Sequence, residues 1–162
     1  RVELIVTNNT KAGVIDRFSG KKVAIRTFDP STESDVVLQE LTQGADLVVL
    51  AGYLKMIPAA WTRAFQGRML NIHPALLPKF GGKGMYGKHV HQAVSEAGET
   101  ETGITIHLVN EHYDEGAIVA QFAVEVAPGE APLSIEEKVR QLELEYYGPT
   151  VERWIENLIL SQ

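Results

Sequence analysis

The chain has 162 residues, 44% hydrophobic and 22% charged, the mixture of an ordinary globular domain and not of a disordered or repetitive polymer. A formal charge of -6 argues against a general nucleic-acid binder, which needs clustered Lys and Arg on phosphates. There is no cysteine, so no disulfide frame and no thiolate metal site, and no apolar run reaches the roughly 20 residues of a membrane helix.

In chain order, "VELIVTN" (2–8) is β-branched and apolar and predicts a buried strand. A short helix follows near 11–18, and "KVAIRTF" (22–28) is a second strand closed by Asp29-Pro30. Val36, Val37, Leu38 and Leu41 then recur at helical spacing, with Ser31 or Ser34 as N-cap and Gly44 as the stop. "DLVVLAGY" (46–53) is a third strand, nearly all apolar, as a strand covered on both faces should be. A helix at 58–65 leads to a fourth strand, "GRMLNIH".

"PALLPKFGGKGMYGKH" reads as a long glycine-rich loop, and loops of that length tend to be functional. A helix over 88–97 comes next, then strands over 101–110 and 117–126, close enough in sequence to pair as an antiparallel hairpin. "SIEEKV" opens a long last helix with a capping-box pattern, Ser134 and Glu137. Strands alternating with helices predict an α/β domain around a mostly parallel sheet, with ligands beyond the carboxyl ends of the strands.

Asn71 and His73 fall at such an end, two apart and therefore on one side of their strand. An amide NH2 beside an imidazole N–H is a plausible pair of donors for an oxygen gaining negative charge. A carboxylate would orient the imidazole and favour its charged form, and Asp114 in "VNEHYDEGAIV" is the candidate. Its plain alternative is an Asp that makes its own turn with Gly116. His89, His91, His107 and His112 read as ordinary surface or core histidines, and their spacing offers no zinc set. With no cysteine and no G-x-S-x-G elbow, the three residues suggest acyl-type transfer in which the substrate brings the nucleophile.

"DLVVLAGYLKMIP", "LNIHPALLPKF", "ETGITIHLVNEHYDEGAIVAQ" and "KVRQLELEYYGPTVE", in that order, resemble the phosphoribosylglycinamide formyltransferases of the formyltransferase superfamily. The resemblance runs over about residues 2 to 155. It implies a three-layer, Rossmann-like open sheet, mostly parallel, with a C-terminal antiparallel strand pair and a long last helix. It implies 10-formyltetrahydrofolate as co-substrate and glycinamide ribonucleotide as acceptor in purine synthesis, with no metal.

Residue by residue, the resemblance implies that Asn71, His73 and Asp114 are catalytic, with Asp114 raising the pKa of His73. Leu54, Lys55, Met56 and Ile57 match the stretch lining the folate site, together with Asn71. Asn110, Glu111, His112, Tyr113 and Asp114 match the loop that grips the pteridine. Arg140, Gln141, Leu142 and Glu143 match the segment facing the ribonucleotide, with Glu143 its most direct contact. A cytoplasmic monomer or homodimer without nucleic-acid or membrane partners is the corresponding expectation.

The match also departs from the family. The family opens with a strand, a glycine-rich phosphate loop and a helix, whereas this sequence begins at the following strand. The expectation is one formyltransferase domain over 1–162 that lacks those elements, a fragment of a chain of roughly 185–190 residues, with an unpaired gap between 2–8 and 46–53. A folate-binding arginine of the family has no counterpart in "FDPSTESDVV", and the loop over 79–88 is longer than its commonest form. Formyltetrahydrofolate hydrolase and methionyl-tRNA formyltransferase share the three residues and stand as alternatives, as does an inactive folate-binding remnant.

Overall fold

The computed structural model describes residues 1–160. The fold is mixed α/β, and the chain divides into two compact units, Arg1–Asp46 and the chain from Leu47 onward.

In the first unit, strands β1 (Leu4–Thr7) and β2 (Ala24–Thr27) pair in parallel and flank helix α1 (Gly13–Phe18) in the chain; helix α2 (Ser34–Gly44) follows. Val37 and Leu41, one helical turn apart, form the buried stripe of α2. Its N-terminus differs from expectation. Glu33 occupies the cap position, and neither Ser31 nor Ser34 caps the helix. Ser31 instead gives its backbone N–H and its hydroxyl to the Asp29 carboxylate, an Asx turn that competes with helix capping. Glu33 folds back to accept the Asp29 N–H at 2.7 Å.

In the second unit, strands β3 (Val48–Leu50), β4 (Met69–His73), β5 (Glu101–Leu108) and β6 (Ile118–Glu125) form one sheet in the order β3-β4-β5-β6. Helices α3 (Ala59–Ala64), α4 (Lys88–Glu96) and α5 (Pro132–Leu160) complete it. β3 and β4 run parallel; β4–β5 and β5–β6 run antiparallel, so the chain reverses one strand before the expected hairpin. β3 is also shorter than the apolar run of 46–53: the ladder ends at Leu50, and Gly52 turns the chain at φ 72°. β1 pairs with β2 and β3 with β4, in separate sheets.

Packing follows from the β5 pattern. Its residues from Thr102 to His107 are all buried, because α5 packs on β5 and β6 and α4 packs on α5. Ala75, Val90, Val94, Ile104, Val126, Ile135 and Val139 make the core cluster between them. Burying a Val or Ile side chain contributes roughly 1.5–3 kcal/mol, so this cluster is a substantial part of what holds the unit together.

α5 begins at Pro132, where a proline's missing N–H costs nothing, and not at a Ser134 cap. Ser134 lies inside the first turn and donates to Glu130 at 2.5 Å. The Lys138 ammonium, the Ser134 hydroxyl and the Ala127 N–H all serve the Glu130 carboxylate and hold it at a pKa of about 2. No helix among the described residues is long and apolar enough to cross a membrane.

Candidate active site

Side-chain alternation sets the geometry first. Asn71 and His73 point to one side of β4, and across the ladder Asn71 lies opposite His107 while His73 lies opposite Thr105. The four polar positions therefore form one contiguous block across β4 and β5. Thr105, fully buried, satisfies the turn that leaves β4: its hydroxyl donates to the Ala75 carbonyl at 2.7 Å and accepts the Leu77 N–H at 2.9 Å. Gln121 donates to the same hydroxyl and to the Leu77 carbonyl. These bonds fix the chain just beyond His73.

Asp114 reaches this block from the loop between β5 and β6. Its backbone is left-handed at φ 57°, a conformation that Asp tolerates better than most residues. The side chain does not make a local turn with Gly116. Its Oδ2 accepts the Gly82 N–H at 2.9 Å and lies 3.5 Å from Nδ1 of His73, and its Oδ1 lies 3.6 Å from Nε2 of His107. Gly116 serves a different purpose: a Cβ there would lie 1.6 Å from the Leu108 carbonyl oxygen, so only glycine lets the loop pass so close to β5.

The hydrogen bonds assign the protons. His107 Nδ1 is 2.9 Å from the Leu108 carbonyl, an acceptor only, so Nδ1 carries a hydrogen. In the neutral ring Nε2 then holds the lone pair and accepts from the Asn71 amide at 3.2 Å. One amide hydrogen of Asn71 remains for a ligand. His73 Nε2 donates to the Phe80 carbonyl at 2.7 Å, so a ligand oxygen takes that hydrogen only by displacing Phe80. Phe80 is itself left-handed, at φ 56°, which is costly for a bulky residue and marks a segment held under strain.

The electrostatics follow from depth. The His73 side chain is 4% exposed and that of Asp114 11%. Burial disfavours the imidazolium and sets His73 below its ordinary pKa; the Asp114 charge and the Phe80 carbonyl pull it back up, and His107 adds to the lowering. The resemblance implies a His73 raised by Asp114. Asp114 does act in that direction, but burial outweighs it. For Asp114, burial alone would raise the carboxyl; the adjacent His107 imidazole in its protonated form, the Gly82 amide and the charge of His73 together outweigh it and leave Asp114 low.

The other expected residues are more dispersed. Leu54 and Met56, after β3, and Tyr113 are exposed apolar side chains. Asn110 closes an Asx turn on the His112 N–H, and Glu111 pairs with Arg63 at 2.9 Å. Lys55 is exposed and Ile57 half-buried. On α5, Leu142 packs against the core cluster, Gln141 bonds Glu137, and Arg140 lies 4.0 Å from the same glutamate. Burial raises the Glu143 carboxyl, with Arg140 pulling the other way.

Sequence reasoning passed over His107 and the backbone groups of Phe80 and Gly82. The alternation of Thr105 and His107 with Ile104 and Ile106 was the signal for the first. Backbone groups leave none. A surface cavity of about 510 Å³ at Glu101, Glu125 and Lys138 shares no residue with this block.

Residues 2–151 match the family model described as formyl transferase. The chain belongs to the formyl transferase family. A chloroplastic phosphoribosylglycinamide formyltransferase of Arabidopsis thaliana is 44% identical over 158 residues, 93% of this chain and 54% of that protein. The fold is similar to the crystal structures of glycinamide ribonucleotide transformylase 1 from Geobacillus kaustophilus and of phosphoribosylglycinamide formyltransferase from Bacillus halodurans. The first is 36% identical with a TM-score of 0.83 and covers 96% of this chain and 83% of that one. The second is 32% identical with a TM-score of 0.85, covering 94% and 80%. The chain spans about half the length of the curated plant relatives that it matches, 54% and 53%. Among the described residues no cluster of metal ligands occurs.

Proposed function

We propose that this chain transfers the formyl group of 10-formyltetrahydrofolate to the amine of glycinamide ribonucleotide. The observation that carries this is the convergence of Asn71, His73 and Asp114, which come from two separate segments of the unit, with both imidazoles facing one carboxylate. The names of the relatives support the choice of donor and acceptor.

The acceptor amine attacks the formyl carbon, and the carbonyl oxygen becomes a tetrahedral oxyanion. The free amide hydrogen of Asn71 and the Nε2–H of protonated His73 hold it, once the Phe80 carbonyl gives way. Asp114 favours the imidazolium at that moment. The intermediate collapses with loss of the folate nitrogen, which takes up the proton that the amine releases. The residues supply positioning and charge, the largest contributions to acyl transfer without a covalent intermediate.

Exposed Leu54 and Met56 offer apolar surface to a heteroaromatic ring, and the loop Asn110 to Asp114 offers backbone donors and acceptors. On α5, Glu143 faces the ribonucleotide amine in this reading, and half-buried Leu142 backs that segment against the core cluster.

The test is a turnover assay with labelled 10-formyltetrahydrofolate and three acceptors: glycinamide ribonucleotide, water and methionyl-tRNA. Formylated glycinamide ribonucleotide is the expected product. Release of formate regardless of acceptor points to a hydrolase. Donor binding in calorimetry without any turnover points to a folate-binding remnant. Either result refutes the proposal.

A further inference from the structure

Leu50 is the last residue of β3, and its ladder partner in β4 is Asn71. The next bond across the sheet joins Asn71 to His107, so one row of the sheet runs Leu50–Asn71–His107. The Leu50 carbonyl accepts a 2.7 Å hydrogen bond from the hydroxyl of Tyr147, from α5 and 97 residues away. One helical turn before Tyr147, on the same face of α5, stands Glu143.

We infer that Tyr147 is a positioning residue for both substrates: its hydroxyl ties the end of β3, from which the stretch 51–57 departs, to the turn of α5 that carries Glu143. The inference rests on the proposed transfer reaction and deepens it. Two further facts support it. β3 is only three residues long, so its end has little ladder of its own to hold it. The turn beyond it passes through left-handed Gly52 within two residues, and then through exposed Leu54 and Met56, so the tether at Leu50 anchors the start of this segment. The phenol is also a constant donor. Burial pushes its pKa upward, and the Glu143 carboxylate pushes it further, so the bond persists across the working pH range.

Tyr147→Phe removes the hydroxyl and keeps the ring. Two measurements on the whole chain read the result: steady-state kinetics against each substrate, and backbone hydrogen exchange of residues 51–57. The expected outcome is a rise in KM of about three- to tenfold for the formyl donor and for the amine acceptor, the factor that corresponds to one ordinary hydrogen bond. The rise in KM should exceed the fall in kcat, and exchange over 51–57 should quicken. Unchanged KM values with unchanged exchange overturn the inference, and so does a lowered Tm as the only effect, which is the mark of a purely structural bond. Should the parent chain transfer no formyl group, the transfer reading fails, and the exchange measurement by itself still decides whether Tyr147 holds the segment.

Discussion

The amide of Asn71 has two hydrogens, and His107 takes one of them. That bond decides which way the amide faces. His107→Leu leaves the amide free to turn over, and kcat should fall about three- to tenfold, the worth of one ordinary hydrogen bond. His107→Gln keeps an acceptor at a similar reach and should recover most of the loss; equal kcat in both variants would remove His107 from the site. A second prediction concerns Asp114, whose charge lifts His73 against its burial. In Asp114→Asn that lift is gone, so the pKa of His73 falls further. The alkaline fall in kcat, where the imidazolium is lost, should move to lower pH, and the imidazole resonance of His73 should titrate lower in NMR. An unmoved titration would show that Asp114 does not act on His73. The types of all three polar residues were legible in "NIH" and "HYDEG". The partners of His73 and Asp114 at Phe80 and Gly82 were not, because a carbonyl and an amide belong to every residue and only the fold selects among them.

The hairpin of β5 and β6 delivers Asp114, and its geometry depends on one close approach. Gly116→Ala puts a methyl group into the Leu108 carbonyl, the same oxygen that holds His107 Nδ1. The loop must move, so the expected result is a cost of about 1–3 kcal/mol, read as a lower Tm, with turnover lost out of proportion to stability. A variant with native Tm and turnover would show that the approach does not matter. Period-two and helical spacing made the order and type of the elements readable, including the hairpin. The ends were less readable for physical reasons. Asp29 captured Ser31, Pro132 moved the start of α5 ahead of Ser134, and Gly52 with its exposed neighbours cut β3 short.

Across the molecule, buried histidines couple folding to pH. His73 and His91 both sit below their ordinary pKa, chiefly through burial. As pH falls through about 6.5, the unfolded chain binds protons that the folded chain refuses, so stability falls. Asp114 works at lower pH. Its folded pKa lies below the unfolded value, so its stabilisation is present above about 4 and is lost only as pH falls through that lower folded value. Urea unfolding followed through Trp61 and Trp154 should therefore show a lower midpoint at pH 5 than at pH 7.5. His73→Gln should shrink that difference but not abolish it, because His91 remains. An equal difference in parent and variant would mean that His73 is not suppressed by burial. The division of the chain at Asp46 was not visible in the sequence, because composition does not change there.

The central claim is that an amide and an imidazole stabilise one oxyanion during formyl transfer, and single-turnover transfer from 10-formyltetrahydrofolate to glycinamide ribonucleotide by Asn71→Ala and His73→Ala tests it most directly. Each variant should lose about 10²–10³ in rate while keeping native circular dichroism, the usual cost of removing one such donor. Transfer at the parent rate in either folded variant would contradict the account.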